Sequence, residues 1–202
     1  MTAAQVRSAL RGGAAVVLPN PAPLTHVVAA TDPAAVNTAK GRPAAQPVAL
    51  WAHDPATLDQ VLELSPAPAA VARRLLTKEL VTLLLPLEGP LPAWLAPATH
   101  RGWTLLFGAR WEPVRPLLTE HPVLYVSSAN RTGHPPAATT AEARAMFPPT
   151  VPVLPHQAET GPRAATTTLR LHPDGRLELH RPGAQDQPDP DRYLDRVRAA
   201  YC

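Results

Sequence analysis

The chain has 202 residues, 45% of them apolar and 17% charged, and this balance excludes a disordered tail while allowing one substantial core. Its 19 basic residues exceed its 16 acidic ones by three, which permits an anionic ligand without building a basic nucleic-acid groove. No apolar run reaches the length of a membrane span, and Met1 to Arg11 is not a charged start followed by an apolar stretch. A soluble cytoplasmic protein with no membrane partner is the expectation. The single cysteine, Cys202, excludes an internal disulfide and a multi-cysteine metal site and argues against thiol catalysis. Of the basic residues only Lys40 and Lys78 are lysines, so in this Arg-, Pro- and Ala-rich composition a retained lysine is informative.

Helical spacing over Gln5 to Leu10 stops at Gly12-Gly13, and Ala14 to Leu18 reads as a buried strand. Asp32 and Pro33 predict a capped helix to Ala39, which Pro43 prevents from continuing. Pro47 to Ala52 reads as a strand, Asp54-Pro55 opens a helix through Leu64, and another helix covers Pro68 to Leu76. Val81 to Leu85, Trp103 to Phe107 and Val123 to Val126 are short apolar runs read as strands. Helices fill Glu112 to Thr119 and Thr140 to Phe147, the second capped by Thr139 or Thr140. Thr166 to Leu171 and Arg176 to His180 form a hairpin around His172-Pro173-Asp174-Gly175, and Asp191 to Ala200 closes as a helix. Pro148 to Pro155 and Gln185 to Pro190 are proline-rich loops. This order fits a mixed sheet with helical layers in a single domain.

Three segments could carry chemistry. Lys40-Gly41-Arg42-Pro43 sets a compact ammonium and a planar guanidinium two residues apart, with Gly41 free to adopt an unusual backbone angle. The same residues also suit the basic end of a helix. Ser127-Ser128-Ala129-Asn130-Arg131-Thr132-Gly133 follows the strand ending at Val126 and offers hydroxyls, an amide and backbone N–H groups for anions. As an ordinary polar turn it would have a similar composition. Arg181-Pro182-Gly183 ends the hairpin with a further guanidinium. Eight histidines show no metal-ligand spacing, no Ser, His and acid set is evident, and neither common glycine-rich nucleotide loop is present.

In combination these segments resemble the YrdC-like family of L-threonylcarbamoyl-AMP synthases. Its K-x-R-P element and S-A-N-x-[ST]-G-x-P loop both occur in order, with a Val81-Thr82-Leu83-Leu84-Leu85-Pro86 strand and Thr166-Thr167 ahead of Arg181-Pro182-Gly183. The resemblance implies one α/β YrdC-like domain over residues 1–202, a twisted mixed parallel and antiparallel sheet with helices packed around it. It is strongest over residues 14–183, and residues 184–202 are linker and C-terminal helix. It further implies that threonine and bicarbonate form a carbamate that attacks ATP, carried with Mg2+, to give threonylcarbamoyl-AMP and pyrophosphate for tRNA modification. By that resemblance Lys40 and Arg42 would be catalytic, binding carbamate and phosphate charge. Ser128 and Asn130 would orient carboxylate and phosphate oxygens, while Thr166 and Arg181 would complete the nucleotide side. Such chemistry needs positioning and charge neutralisation more than a protein nucleophile.

The chain departs from the family at two places. Pro19-Asn20-Pro21-Ala22-Pro23-Leu24 stands where the family has P-T-[DE]-T-x-Y, so Asn20 can hydrogen-bond in place of a Thr while Leu24 brings neither hydroxyl nor ring. Leu105-Leu106-Phe107-Gly108 lacks the arginine of an R-V-P step, which Arg101 or Arg110 would have to replace. These departures leave a second reading, a catalytically degenerate module that binds a nucleotide, double-stranded RNA or tRNA.

Overall fold

The computed structural model describes residues 2–110, 112–156 and 163–201. Cys202 lies outside the described residues. In chain order the elements are α1 (Ala3–Arg11), β1 (Val16–Leu18), β2 (Val27–Ala30), α2 (Pro33–Ala39), β3 (Ala49–Trp51), α3 (Pro55–Glu63), α4 (Ala69–Arg74), β4 (Thr82–Pro86), β5 (Thr99–His100), β6 (Trp103–Phe107), α5 (Arg115–Leu118), β7 (Tyr125–Ser128), α6 (Thr140–Met146), β8 (Thr168–Leu171), β9 (Leu177–Arg181) and α7 (Pro190–Tyr201). The chain forms two compact units, Met1–Val48 with Arg110–Ala165 and Ala49–Ala109 with Thr166–Cys202.

In the first unit, β2 pairs antiparallel with β1 on one side and with β7 on the other. Every residue of β1 and β2 is buried, which is why these strands are unbroken runs of Val, Leu and Ala rather than alternating. The proline-rich stretch beyond α6 lies along β1, with the Val17 N–H donating to Pro152 O at 2.7 Å and Leu154 N–H donating to Val17 O at 2.9 Å. Helices α2, α3 and α6 begin where the sequence predicts, while α1 opens at Ala3, two residues before the predicted Gln5. Thr2 and Gln5 form a reciprocal cap on α1, whose Val6 and Leu10 are fully buried. Asp32 accepts from Ala34 N–H at 2.9 Å to start α2.

The second unit mixes both pairing directions. β6 runs parallel to β3 and antiparallel to β4 and β5, β4 runs parallel to β8, and β8 returns antiparallel as β9. Alternation follows from the two-residue period of a strand. Leu83, Leu85, Leu106, Leu169 and Leu171 are fully buried, while Leu84, Trp103, Leu105 and Arg170 between them are only half-buried. Asp54 caps α3 through Thr57 N–H at 2.8 Å, and α7 buries Tyr193, Leu194 and Val197. The sheet is thus mixed parallel and antiparallel with helices against it, as expected. No helix among the described residues is long and apolar enough to cross a membrane.

Several boundaries differ from the sequence reading, which gives no strand at β2 or β5. The strand expected over Val123 to Val126 is Tyr125–Ser128, because the pairing Val27↔Ser128 and Val28↔Ser127 carries it past the apolar run. Ser127 and Ser128 therefore belong to a strand and not to the loop after it. Thr166 and Thr167 precede β8, which starts at Thr168. The helix expected over Glu112 to Thr119 divides into a 3-10 turn, Glu112–Val114, and the short α5, since Pro113 and Pro116 supply no N–H for a continuous ladder. Helix α4 stops at Arg74 and runs on as a wider π turn, Leu75–Glu79, ended by Leu80 at φ 57°.

At Gly108 backbone meets backbone. A Cβ there would lie 2.5 Å from Leu76 O and 2.7 Å from Val81 O, neither of which is the mobile end of a side chain. Gly108→Ala is expected to destabilise the protein by about 1–3 kcal/mol, the ordinary cost of overpacking, and urea denaturation checks it. Unchanged stability would show that this backbone contact yields easily.

Candidate functional site

Helix α2 ends at Lys40, and Gly41 then takes φ +66°, a left-handed angle that glycine adopts without Cβ strain. This bend keeps the backbone of residues 40–42 against the helix end. Lys40 N–H donates to Val36 and Asn37 carbonyls, and Arg42 N–H donates to Asn37 O at 3.1 Å. The two cationic side chains consequently leave one helix terminus by different routes.

Lys40 is 3% exposed, and its ammonium reaches across the chain to the end of β7. Nζ donates to Ser128 O at 2.5 Å, Asn130 O at 2.8 Å and Asn130 Oδ1 at 2.7 Å. Those three acceptors match the three hydrogens of an ammonium. The Ser128 hydroxyl donates to the same Asn130 Oδ1 at 2.7 Å, and Asn130 Nδ2 donates to His134 O at 2.8 Å. In return Thr132 N–H donates to Lys40 O at 3.1 Å. Residues 128–134 are thus ordered around one lysine. Burial pushes the Lys40 ammonium down to about 7, and the nearby charge of Arg42 adds to that descent.

Arg42 is held differently. Its Nε donates to Asn37 Oδ1, while Asn37 Nδ2 donates to Ala44 O and Gln46 O, both at 2.7 Å. Arg42 Nη2 is buried and makes no hydrogen bond, and burial draws the guanidinium below its usual range. The Arg131 guanidinium also approaches this bend, 3.8 Å from where a Cβ on Gly41 would stand. A fixed guanidinium with an unused donor, next to further positive charge, is suited to a carboxylate or phosphate oxygen.

Asn20 is 1% exposed on the segment after β1. Its Nδ2 donates to Thr25 O at 2.9 Å, and its Oδ1 is buried without a hydrogen bond. Arg163 Nη1 donates to Asn20 O at 3.0 Å and Leu24 O at 2.7 Å, so a distant guanidinium holds this proline-rich segment. Thr166 and Arg181 lie in the second unit. Thr166 shares a 2.5 Å hydroxyl contact with Thr82, and its carbonyl accepts from Arg181 Nη2 at 3.3 Å. Buried Asp186 accepts from the Thr167 hydroxyl and from Gly183 N–H, and so fixes the segment that carries Thr166.

The structure gathers Lys40, Arg42, Ser128 and Asn130 in the first unit, and Thr166 with Arg181 in the second. Arg101 sits exposed in the turn after β5 at φ 49°, and Arg110 is half-buried, its guanidinium lowered by burial and by Arg115. Sequence reasoning missed Asn37, Arg163 and Asp186. Asn37 had a visible signal, since an asparagine in the middle of a short helix asks what its amide bonds. Among the described residues, no group of three or more His, Cys, Asp or Glu could hold a metal ion.

The mixed sheet with helices against it defines an α/β domain. More specifically, residues 8–183 match the family model Sua5/YciO/YrdC, described as "Telomere recombination", and the chain belongs to that family. No curated protein matches it. Among solved structures, P. abyssi Sua5 complexed with L-threonine is similar at TM-score 0.67 and 21% identity, covering 91% of this chain and 55% of that one. E. coli YciO is similar at TM-score 0.69 and 17% identity, covering 92% of this chain and 91% of that one. A full-length HypF in its phosphate- and nucleotide-bound form is similar at TM-score 0.69 and 14% identity, covering 93% of this chain and 30% of that one. The chain therefore spans about half of that Sua5 and less than a third of HypF.

The lowered value at Lys40 gives a pH test. With a folded pKa of about 7 against an ordinary 10.5, the unfolded chain binds more protons between those values, so stability rises as pH increases through that window. The slope contributed is at most about 1.4 kcal/mol per pH unit. Denaturation at pH 7, 8 and 9 is expected to show this rise in the wild type and to lose it in Lys40→Met.

Proposed function

We propose that this chain is a nucleotidyltransferase of the threonylcarbamoyl-AMP synthase type, acting in the cytoplasm on ATP, bicarbonate and threonine or a related amino substrate, for tRNA modification. The observation that carries the proposal is the guanidinium of Arg42, held by Asn37 with one buried donor unused, beside a strand end that Lys40 has ordered. In this reading Arg42 receives carboxylate or phosphate oxygens. Lys40 holds Ser128 and Asn130 in place through its three donors. Reaction of a carbamate oxygen at the α-phosphorus of ATP expels pyrophosphate, and positioned cations stabilise the charge that develops. Mg2+ would enter with the ATP as part of the substrate, since this ion is bound largely through phosphate oxygens and water. Family membership supports the reading. So do the L-threonine complexed with the similar Sua5 and the nucleotide bound to the similar HypF.

A second reading is a module that binds a nucleotide or RNA without catalysis. It is favoured by the engagement of all three Lys40 donors within the protein and by Leu24, buried where the family carries a tyrosine.

The experiment is pyrophosphate release from ATP with bicarbonate across a panel of amino acids. The enzyme reading predicts release with threonine or one related amino acid, and a loss of tenfold or more in kcat/KM in Arg42→Ala, about the effect of one charged hydrogen bond. ATP binding with no release for any amino acid would select the module reading.

A further inference from the structure

One face of the sheet in the second unit differs from the aliphatic core. Register places Leu84 opposite both Leu105 and Arg170, and Arg170 opposite Glu178, with Pro86 opposite Trp103. These side chains share one side of the sheet by strand alternation. The Arg170 guanidinium lies over the Trp103 ring at 4.9 Å, and His172 meets that ring edge-on at 5.4 Å. Glu178 and His180 hold the guanidinium at its rim, through Oε1 at 3.4 Å and Nδ1 at 3.2 Å. Arg176 adds a second guanidinium 3.1 Å from His172 Nδ1. The burial is graded along this face: Thr82, Phe107 and Thr168 are covered, while Trp103, Leu105 and Leu84 remain half-open.

A guanidinium held over an indole and bonded at its rim offers a planar surface for stacking. Its flat side accepts a nucleobase by dispersion and cation–π attraction. The surrounding charge favours an anion over a cation, since two guanidinium groups, Arg170 and Arg176, share the one carboxylate of Glu178 here. The scale is also suitable. Thr168 stands opposite Arg181 and two residues before Arg170 on the same strand, roughly 7 Å at a strand's rise. That is close to the reach from a base to its 5′ phosphate.

We propose that Trp103 and Arg170, edged by His172 and Glu178, form a stacking site for the base of a nucleoside phosphate, with the phosphate directed toward Arg181 and Thr166. The site deepens the nucleotide reading and rests on it for the identity of the occupant. It would select nucleotides over bare polyphosphate, which cations without a stacking surface cannot do.

Calorimetric titration of the full chain with ATP, AMP, inorganic tripolyphosphate and a short oligoadenylate tests it, on the wild type and on Trp103→Ala, Trp103→Phe, Arg170→Ala and Arg170→Lys. Thermal melts report whether each variant is folded. ATP and AMP affinity should fall about tenfold in Trp103→Ala and Arg170→Ala, and nearly as far in Arg170→Lys, which keeps the charge and loses the plane. Trp103→Phe should keep most of the affinity, and tripolyphosphate binding should not change. Nucleotide binding equal in all folded variants would overturn the stacking site while leaving the nucleotide reading intact. Binding of neither ATP nor AMP by the wild type would overturn both, and Trp103-dependent binding of oligoadenylate alone would give this face to single-stranded nucleic acid instead.

Discussion

A single buried ammonium organises the candidate anion site. Lys40 joins the end of α2 to the end of β7, elements about ninety residues apart in the chain, through two carbonyls and an amide oxygen. Burying such a charge is costly, and the cost is tolerable only because each of its hydrogens meets an oxygen. The geometry of the Ser128–Asn130 segment follows from that requirement. So does the difference between two adjacent cations: Lys40 faces inward and shapes the segment, and Arg42, braced by Asn37, keeps one buried donor without a hydrogen bond. Asn37 makes the difference possible by bonding Arg42 through its oxygen while its nitrogen holds two carbonyls of the following loop.

The second unit handles polar groups differently. Hydroxyls pair with hydroxyls, as in Thr82 with Thr166 and Thr99 with Thr104, and a buried carboxylate, Asp186, accepts from the Thr167 hydroxyl before β8 and from Gly183 N–H after β9. Thr166 and Arg181 are thereby set by backbone and side-chain bonds within one unit, without a lysine. The same sheet exposes Trp103 and Arg170 where an aliphatic row would have sufficed for packing, and this departure motivates a base-binding role for that face.

Much of the fold was legible in the sequence because its strongest local signals agree with the tertiary structure. Asp32-Pro33 and Asp54-Pro55 start their helices by capping chemistry that needs no distant partner. The β8–β9 hairpin was legible for a similar reason, its turn being local and closed by Gly175 at φ +84°. Strands whose limits depend on pairing were harder. β2 follows a proline-rich stretch without a turn signal of its own, and β7 extends through two serines because β2 lies alongside. Lys40, Arg42, Ser128 and Asn130 could be chosen from motif resemblance, but no spacing shows that Lys40 would turn inward while Arg42 kept a donor. That outcome depends on Asn37 and on contacts across the fold. Arg163 and Asp186 were invisible for the same reason, since the groups they bond lie 139–143 and 3–19 residues away along the chain and carry no shared pattern.

The most direct measurement is ATP calorimetry paired with thermal melting on the wild type, Lys40→Met and Arg42→Ala. If Lys40 shapes the segment and Arg42 meets the ligand, Lys40→Met will lower the melting temperature, and Arg42→Ala will melt near the wild type while losing at least tenfold in ATP affinity. The reverse pattern, with Arg42→Ala unstable but fully able to bind and Lys40→Met stable but unable to, would contradict the account.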